Sequence, residues 1–169
     1  MRLLYEGPFF ANSSLAIINR NLCKYFLDHC DLKIIPADHP KPGSPSLDKR
    51  LQSAIVAPGT RLEPQRADVL IRHKWPPDLT RPDAAQWVHY QPWEFGALPA
   101  VWAKTMARET SRVWAYSNFM KDCFERNGIQ KNIIDIVPPG FDPETYHPGA
   151  GADEKLLQDK RFKVPVFCH

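Results

Sequence analysis

Short apolar runs alternate along this chain with longer segments whose apolar residues recur every three or four positions. The runs are typical of buried strands, and the wider spacing is typical of one-sided helices. The pattern predicts six strands, Arg2–Glu6, Leu32–Pro36, Ala67–Arg72, Gln86–Gln91, Arg112–Tyr116 and Ile133–Val137. It also predicts four helices, Leu15–His29, Leu47–Val56, Pro99–Thr110 and Asn118–Asn127.

The regular alternation of strand and helix predicts the fold class. Such alternation is typical of an α/β fold with a doubly wound parallel sheet and helices on both faces. Residues 68–71 (DVLI) are largely apolar on both faces, as a central parallel strand requires. We therefore expect the Ala67–Arg72 strand to lie inside the sheet.

Composition and charge narrow the function classes. The chain has 169 residues, of which 43% are hydrophobic and 24% charged, as in a soluble globular domain. A net charge of +3 with scattered Lys and Arg argues against a nucleic-acid partner. No run approaches the roughly 20 apolar residues of a membrane span. The four cysteines show no CxxC or metal-ligand spacing, which predicts free thiols, no metal site and a cytoplasmic location.

The candidate catalytic and binding residues lie where the two middle strands end. Ligands of open α/β sheets bind outside the carboxyl ends of the strands. Arg72 and His73 come at the end of one strand, beside a Trp-Pro-Pro turn, and are candidates for substrate binding and catalysis. A single His is more often structural, and for His73 both interpretations stay open.

Polar and aromatic residues also follow the next strand, at Gln91, Trp93 and Glu94. An indole can stack on the apolar face of a sugar ring, and a carboxylate or amide can bind sugar hydroxyls. These residue types therefore suggest a carbohydrate site. The alternative is a packed Trp with a capping Glu.

The loop after the first strand, residues 7–14 (GPFFANSS), leads directly into the first predicted helix. Ser13 or Ser14 is a good N-cap, and the amides of a helix N-terminus can hold an anion or a sugar hydroxyl. The alternative is a tight strand-to-helix turn, since the GxGxxG fingerprint is absent.

The end of the chain suggests a domain boundary. Residues 1–140 form the predicted domain, 141–161 read as a polar linker rich in Pro and Gly, and 162–169 begin another apolar run. We expect that last run to be the first strand of a missing C-terminal domain. The alternative is a tail that pairs back onto the same sheet.

Four segments resemble the N-terminal half of a GT-B glycosyltransferase of the family 4 type. They are DVLIRHKWPP, WVHYQPWEFGALPAVW, VWAYSNFMKDCFERNGI and IIDIVPPGFDPETYHP. The last is similar to the family's interdomain segment, from which it departs at Pro139 and Phe141. The resemblance covers nearly the whole chain and is strongest from Ala67 to Pro148.

The resemblance implies a Rossmann-like domain, one half of a GT-B fold, in an enzyme that transfers a sugar from a nucleotide sugar to a carbohydrate or glycoconjugate acceptor. It implies no metal and no cofactor beyond the nucleotide-sugar substrate. It matches His73 to a catalytic strand-exit histidine. The implied substrate-binding residues are Gly7, Asn12, Ser13, Arg72, Gln91, Trp93, Glu94, Ser117 and Gly140.

The family's donor site uses two glutamates, eight positions apart, in the second domain. No two glutamates of this chain have that spacing. We therefore expect this chain to be inactive alone, or to bind acceptor only. A different class of function is a non-catalytic module that self-associates through its cleft face. A third hypothesis, a flavodoxin-like nucleotide binder, is disfavoured by the absence of a phosphate-loop motif.

Overall fold

Six parallel strands form a single sheet in this protein. The structure, a computed structural model, describes residues 1–56, 67–144 and 147–149. Within them the strands are β1 Arg2–Gly7, β2 Asp31–Pro36, β3 Ala67–Arg72, β4 Ala84–Tyr90, β5 Arg112–Ala115 and β6 Ile134–Ile136. Their order is β2-β1-β3-β4-β5-β6. The strand order reverses between β1 and β3, so a switch point lies at their carboxyl ends.

The helices follow the predicted positions with shorter bounds. They are α1 Ser14–Phe26, α2 Lys49–Ala54, α3 Ala100–Glu109 and α4 Asn118–Arg126. Ser13 caps α1 by accepting from the Ala16 amide, and Ser117 caps α4 by accepting from the Met120 amide. A short 3₁₀ turn, Lys131–Ile133, precedes β6 and takes the place of the predicted start of that strand.

The two faces of the sheet carry different helices. Leu3 and Tyr5 of β1 pack into a cluster with Cys23 of α1 and Leu51 of α2. On the opposite face, residues of β5 pack with α3 and α4, including Val113, Ala115, Ala103, Met106, Met120 and Phe124. The predicted doubly wound α/β sheet with helices on both faces is confirmed. None of the described helices is long and apolar enough to cross a membrane.

Two predictions from the sequence fall wholly or mostly outside the described residues. The linker 141–161 is described only at 141–144 and 147–149, and the strand expected at 162–169 lies outside. Among the described cysteines, Cys23, Cys30 and Cys123 are free thiols.

Gly7 ends β1 where β1, α1 and the residue after β3 pack closely together. A Cβ built on Gly7 would overlap the carbonyl oxygen of His73 and the side-chain nitrogen of Asn19. Both neighbours are buried, and the first is backbone, so neither can move aside cheaply. A residue with any side chain would therefore push these elements apart.

We expect Gly7→Ala to lower the free energy of unfolding by about 1–3 kcal/mol, because it overpacks a dense junction. Gly96→Ala is the matched control, since a Cβ there meets nothing within 4 Å. Urea unfolding of both variants measures the difference. Equal stability of the two variants would contradict the close packing at Gly7.

Candidate functional site

A cleft lies at the carboxyl edge of the sheet. Its volume is about 350 Å³. It is formed by the first turn of α1 and by the segments that follow β3, β4 and β5. Its lining residues are Ser14, Leu15, Trp75, Pro92, Trp93, Glu94, Phe95 and Tyr116. This is the edge at which α/β sheets hold their ligands.

Aromatic rings make up one side of the cleft. The centroid of Trp93 lies 6.4 Å from that of Trp75 and 5.2 Å from that of Phe95. We call these three residues the aromatic wall. Trp102 of α3 packs against it, 5.2 Å from Trp93 and 5.6 Å from Trp75. Trp75 and Phe95 remain 54% and 65% exposed, so the wall offers ring surface to a ligand.

The polar groups of the cleft complement these rings. Glu94 is exposed and lines the cleft beside Trp93, and the Tyr116 side chain lines it from the end of β5. The Nε1 of Trp93 is buried and has no hydrogen-bond partner among the described residues. Ring faces together with a carboxylate and a phenol suit a ligand that has both apolar faces and hydroxyl groups.

His73 lies behind the cleft and is fully buried. Its Nδ1 is hydrogen-bonded to Oδ1 of Asn19, and its Nε2 lies 2.5 Å from the Tyr116 hydroxyl oxygen. Tyr90 packs against the imidazole, with ring centroids 4.4 Å apart. The predicted catalytic histidine therefore does not line the cleft. It is connected to the cleft by its hydrogen bond to Tyr116, which does line the cleft.

Burial keeps His73 neutral. Its pKa is lowered from 6.5 to about 3, chiefly by loss of hydration and then by the nearby His89. The pKa of His89 falls to about 4, chiefly through burial and then through Arg72. Both imidazoles are thus uncharged at neutral pH.

Arg72 anchors the segment after β3 and does not contact the cleft. It is 5% exposed, and its Nε donates to Oε2 of Glu6 at 2.8 Å. Its Nη1 donates to the carbonyl oxygens of Asp78 at 2.8 Å and Thr80 at 2.6 Å. These bonds are buried and Arg72 does not line the cleft, so the geometry argues against the expected role in substrate binding.

Gln91 is also buried, against the expectation that it faces a substrate. β4 ends at Tyr90, and the Gln91 side chain turns inward to accept from Nε2 of His89 at 3.2 Å. Its amide nitrogen donates to the Pro92 carbonyl. The neighbouring Trp93 and Glu94, by contrast, do line the cleft.

The loop after β1 is a structural turn in which Asp38 binds three amides. The carboxylate of Asp38 accepts from the backbone nitrogens of Phe9, Phe10 and Ala11 at 2.7–2.9 Å. These amides are therefore not free for an anion. Asn12 is exposed and donates weakly to the Gly43 carbonyl at 3.4 Å.

The remaining predicted substrate residues have other positions. Gly7 is packed beneath Asn19, and Ser13 caps α1 next to the cleft residue Ser14. Ser117 is exposed and caps α4 immediately after Tyr116. Gly140 is exposed beyond β6, with nothing near its Cβ position. None of these four residues lines the cleft.

Sequence reasoning missed three residues that build the site. Trp75 lies in the Trp-Pro-Pro turn, and its position after β3 matches that of Trp93 after β4. Asn19 is the polar residue on the buried face of α1, between Ala16 and Cys23, and that placement was a usable signal. The sequence places Tyr116 at the end of a strand, whereas β5 stops at Ala115 and the Tyr116 side chain lines the cleft.

The described residues contain no cluster of His, Cys, Asp and Glu that could hold a metal ion. The cleft residues carry hydroxyl, carboxylate and aromatic groups. These groups can form hydrogen bonds with hydroxyls and stack on apolar ring faces.

No family model and no curated protein matches the sequence. The fold is similar to crystal structures of Alr3699/HepE from Anabaena. The complex of that protein with UDP and glucose has a TM-score of 0.55 at 12% identity, and the match covers 86% of this chain and 46% of that one. Its UDP-glucose complex gives the same values. Its UDP complex gives 0.54 at 11% identity, with 88% and 47% covered.

This likeness shows the fold. At such low identity it does not carry over a substrate or a residue's role. The chain spans about half the length of the Anabaena structures that it matches.

We expect the free energy of unfolding to fall as the pH drops from about 6.5 toward about 4. In that window the unfolded chain binds protons at His73 and His89 that the folded chain does not, because the folded pKa values are about 3 and about 4. Each histidine contributes about 1.4 kcal/mol per pH unit to the slope of the unfolding free energy against pH.

Urea unfolding at several pH values measures this slope for the wild type, His73→Gln and His89→Gln. Each variant should show a shallower slope, whatever its absolute stability. Slopes equal to that of the wild type would contradict the buried, neutral state of these histidines.

Proposed function

We propose that this chain is the acceptor-side domain of a GT-B glycosyltransferase of the family 4 type. The enzyme transfers a sugar from a nucleotide-sugar donor to a carbohydrate or glycoconjugate acceptor. The donor site lies mostly outside this chain, which alone binds acceptor without turnover. The observation that carries the proposal is the aromatic wall with Glu94 at the carboxyl edge of the sheet.

Two further observations support it. The fold is that of a protein crystallised with UDP-glucose, and the match covers nearly half of that protein. The sequence segments quoted above resemble the family on the strands and loops that build the cleft. The free thiols fit a cytoplasmic location, which we propose for the enzyme.

The exposed rings of Trp75 and Phe95 also favour a second candidate, a module that self-associates through this face. They are among the large hydrophobic side chains exposed on the described surface. Exposed apolar surface of this kind can mark a partner site. The two candidates differ in whether a sugar or a second copy covers the rings.

We expect the chain to bind a neutral oligosaccharide, and Trp75→Ala to weaken that binding about tenfold through the loss of one stacking ring. Saturation-transfer NMR on a panel of oligosaccharides finds the ligand, and calorimetry gives the affinity. Tyr25→Ala is the control, since Tyr25 is 61% exposed near the far end of α1.

Failure of every oligosaccharide to bind at millimolar concentration, with a sedimentation coefficient that rises with protein concentration, would favour the self-associating module. Transfer of labelled glucose from UDP-glucose by the chain alone would contradict the proposed absence of the donor site. An equal loss of affinity in Tyr25→Ala and Trp75→Ala would remove the aromatic wall from the binding site.

A further inference from the structure

A chain of buried hydrogen bonds leads from the core to the cleft. It runs from Tyr5 through Asn19 and His73 to Tyr116. Tyr5, Asn19 and His73 are fully buried, while Tyr116 is partly exposed and lines the cleft. The direction of each hydrogen bond can be worked out, because the side chain of one member of this series can be oriented in only one way.

That member is Asn19. Its amide nitrogen lies 2.8 Å from the Pro8 carbonyl oxygen and 3.3 Å from the His73 carbonyl oxygen. Carbonyl oxygens only accept, so the NH₂ group must face them, and Oδ1 must face the other way. Oδ1 accepts from the Tyr5 hydroxyl at 2.8 Å. It therefore also accepts from His73, whose Nδ1 must carry a hydrogen.

The neutral state of His73 then fixes the next bond. A neutral imidazole with hydrogen on Nδ1 has a bare Nε2, which can only accept. The partner of Nε2 is the Tyr116 hydroxyl, so Tyr116 donates its one hydrogen to His73. Among the residues that the structure describes, the Tyr116 oxygen has no other hydrogen-bond partner. Its remaining capacity is to accept.

We propose that Tyr116 binds the sugar in the cleft by accepting a hydrogen bond from one of its hydroxyls, and that Asn19 and His73 are positioning residues that fix the direction in which the Tyr116 hydroxyl donates. This assignment rests on the proposed function. His73 acts through Tyr116 and does not touch the ligand. The cleft thereby selects a hydrogen-bond donor at one position and rejects a group that can only accept.

The first test needs no ligand. Nitrogen-15 NMR of the histidine rings at neutral pH reports which nitrogen carries the hydrogen. We expect a pyrrole-type signal for Nδ1 of His73 and a pyridine-type signal for its Nε2. The opposite tautomer, or a doubly protonated ring, would overturn the proposal even if sugars bind.

The second test uses monodeoxy and deoxyfluoro analogues of the oligosaccharide that the chain binds. At one ring position both analogues should bind the wild type about tenfold more weakly, because neither hydrogen nor fluorine can donate. Tyr116→Phe should bind the parent sugar about tenfold more weakly and show no further loss with those two analogues. Tyr90→Phe, which loses a hydroxyl bonded to the Val137 carbonyl, is the matched control and should retain the wild-type pattern.

A deoxyfluoro analogue that binds like the parent at every sensitive position would overturn the proposal, because it would make Tyr116 a donor to the ligand. The proposal would also be overturned if, for every analogue, the loss of affinity caused by Tyr116→Phe added fully to the loss caused by the analogue. If no sugar binds, the proposed function and this contact both fail, whereas the wrong tautomer with normal sugar binding removes the contact alone.

Discussion

The hydrogen bonds of Asn19 are the constraint on which the site depends. One side chain on α1 holds the Pro8 carbonyl of the loop after β1, the His73 carbonyl after β3, and the side chains of Tyr5 and His73. A buried amide left without these partners would cost free energy, so the three elements keep a fixed spacing. Gly7 makes that spacing possible, because there is no room for a Cβ between α1 and β3.

The strand exits divide into a buried polar layer and an exposed aromatic layer. In the buried layer, Arg72 forms ion pairs with Glu6 and Asp78. The partly exposed Lys74 forms ion pairs with the same two carboxylates, so the segment after β3 is tied to β1. That segment contains Trp75, whose side chain lines the cleft and packs near Trp93. The ion pairs therefore act on the site indirectly, by fixing the position of an aromatic ring. Tyr116 belongs to both layers, since its hydroxyl joins the buried chain while its side chain lines the cleft.

Local patterns were enough to predict the strands, the helices and the parallel α/β class. They also placed Trp93 and Glu94 at a ligand-binding edge, because an apolar run followed by polar residues indicates where a strand ends. They could not show that Arg72 and Gln91 turn inward, since their partners are set by packing rather than by sequence neighbours. The bond between Asn19 and His73 joins residues 54 positions apart, and no local period encodes it.

The central claim is that a sugar binds against the aromatic wall at the carboxyl edge of the sheet. The indole N–H signals of the five tryptophans in a nitrogen–proton NMR spectrum test it most directly, with an oligosaccharide added stepwise. The account predicts that the signals of Trp75 and Trp93 shift, while that of Trp87, buried in a separate core cluster, stays in place. Binding that shifts Trp87 or Trp114 and leaves Trp75 and Trp93 unchanged would contradict it.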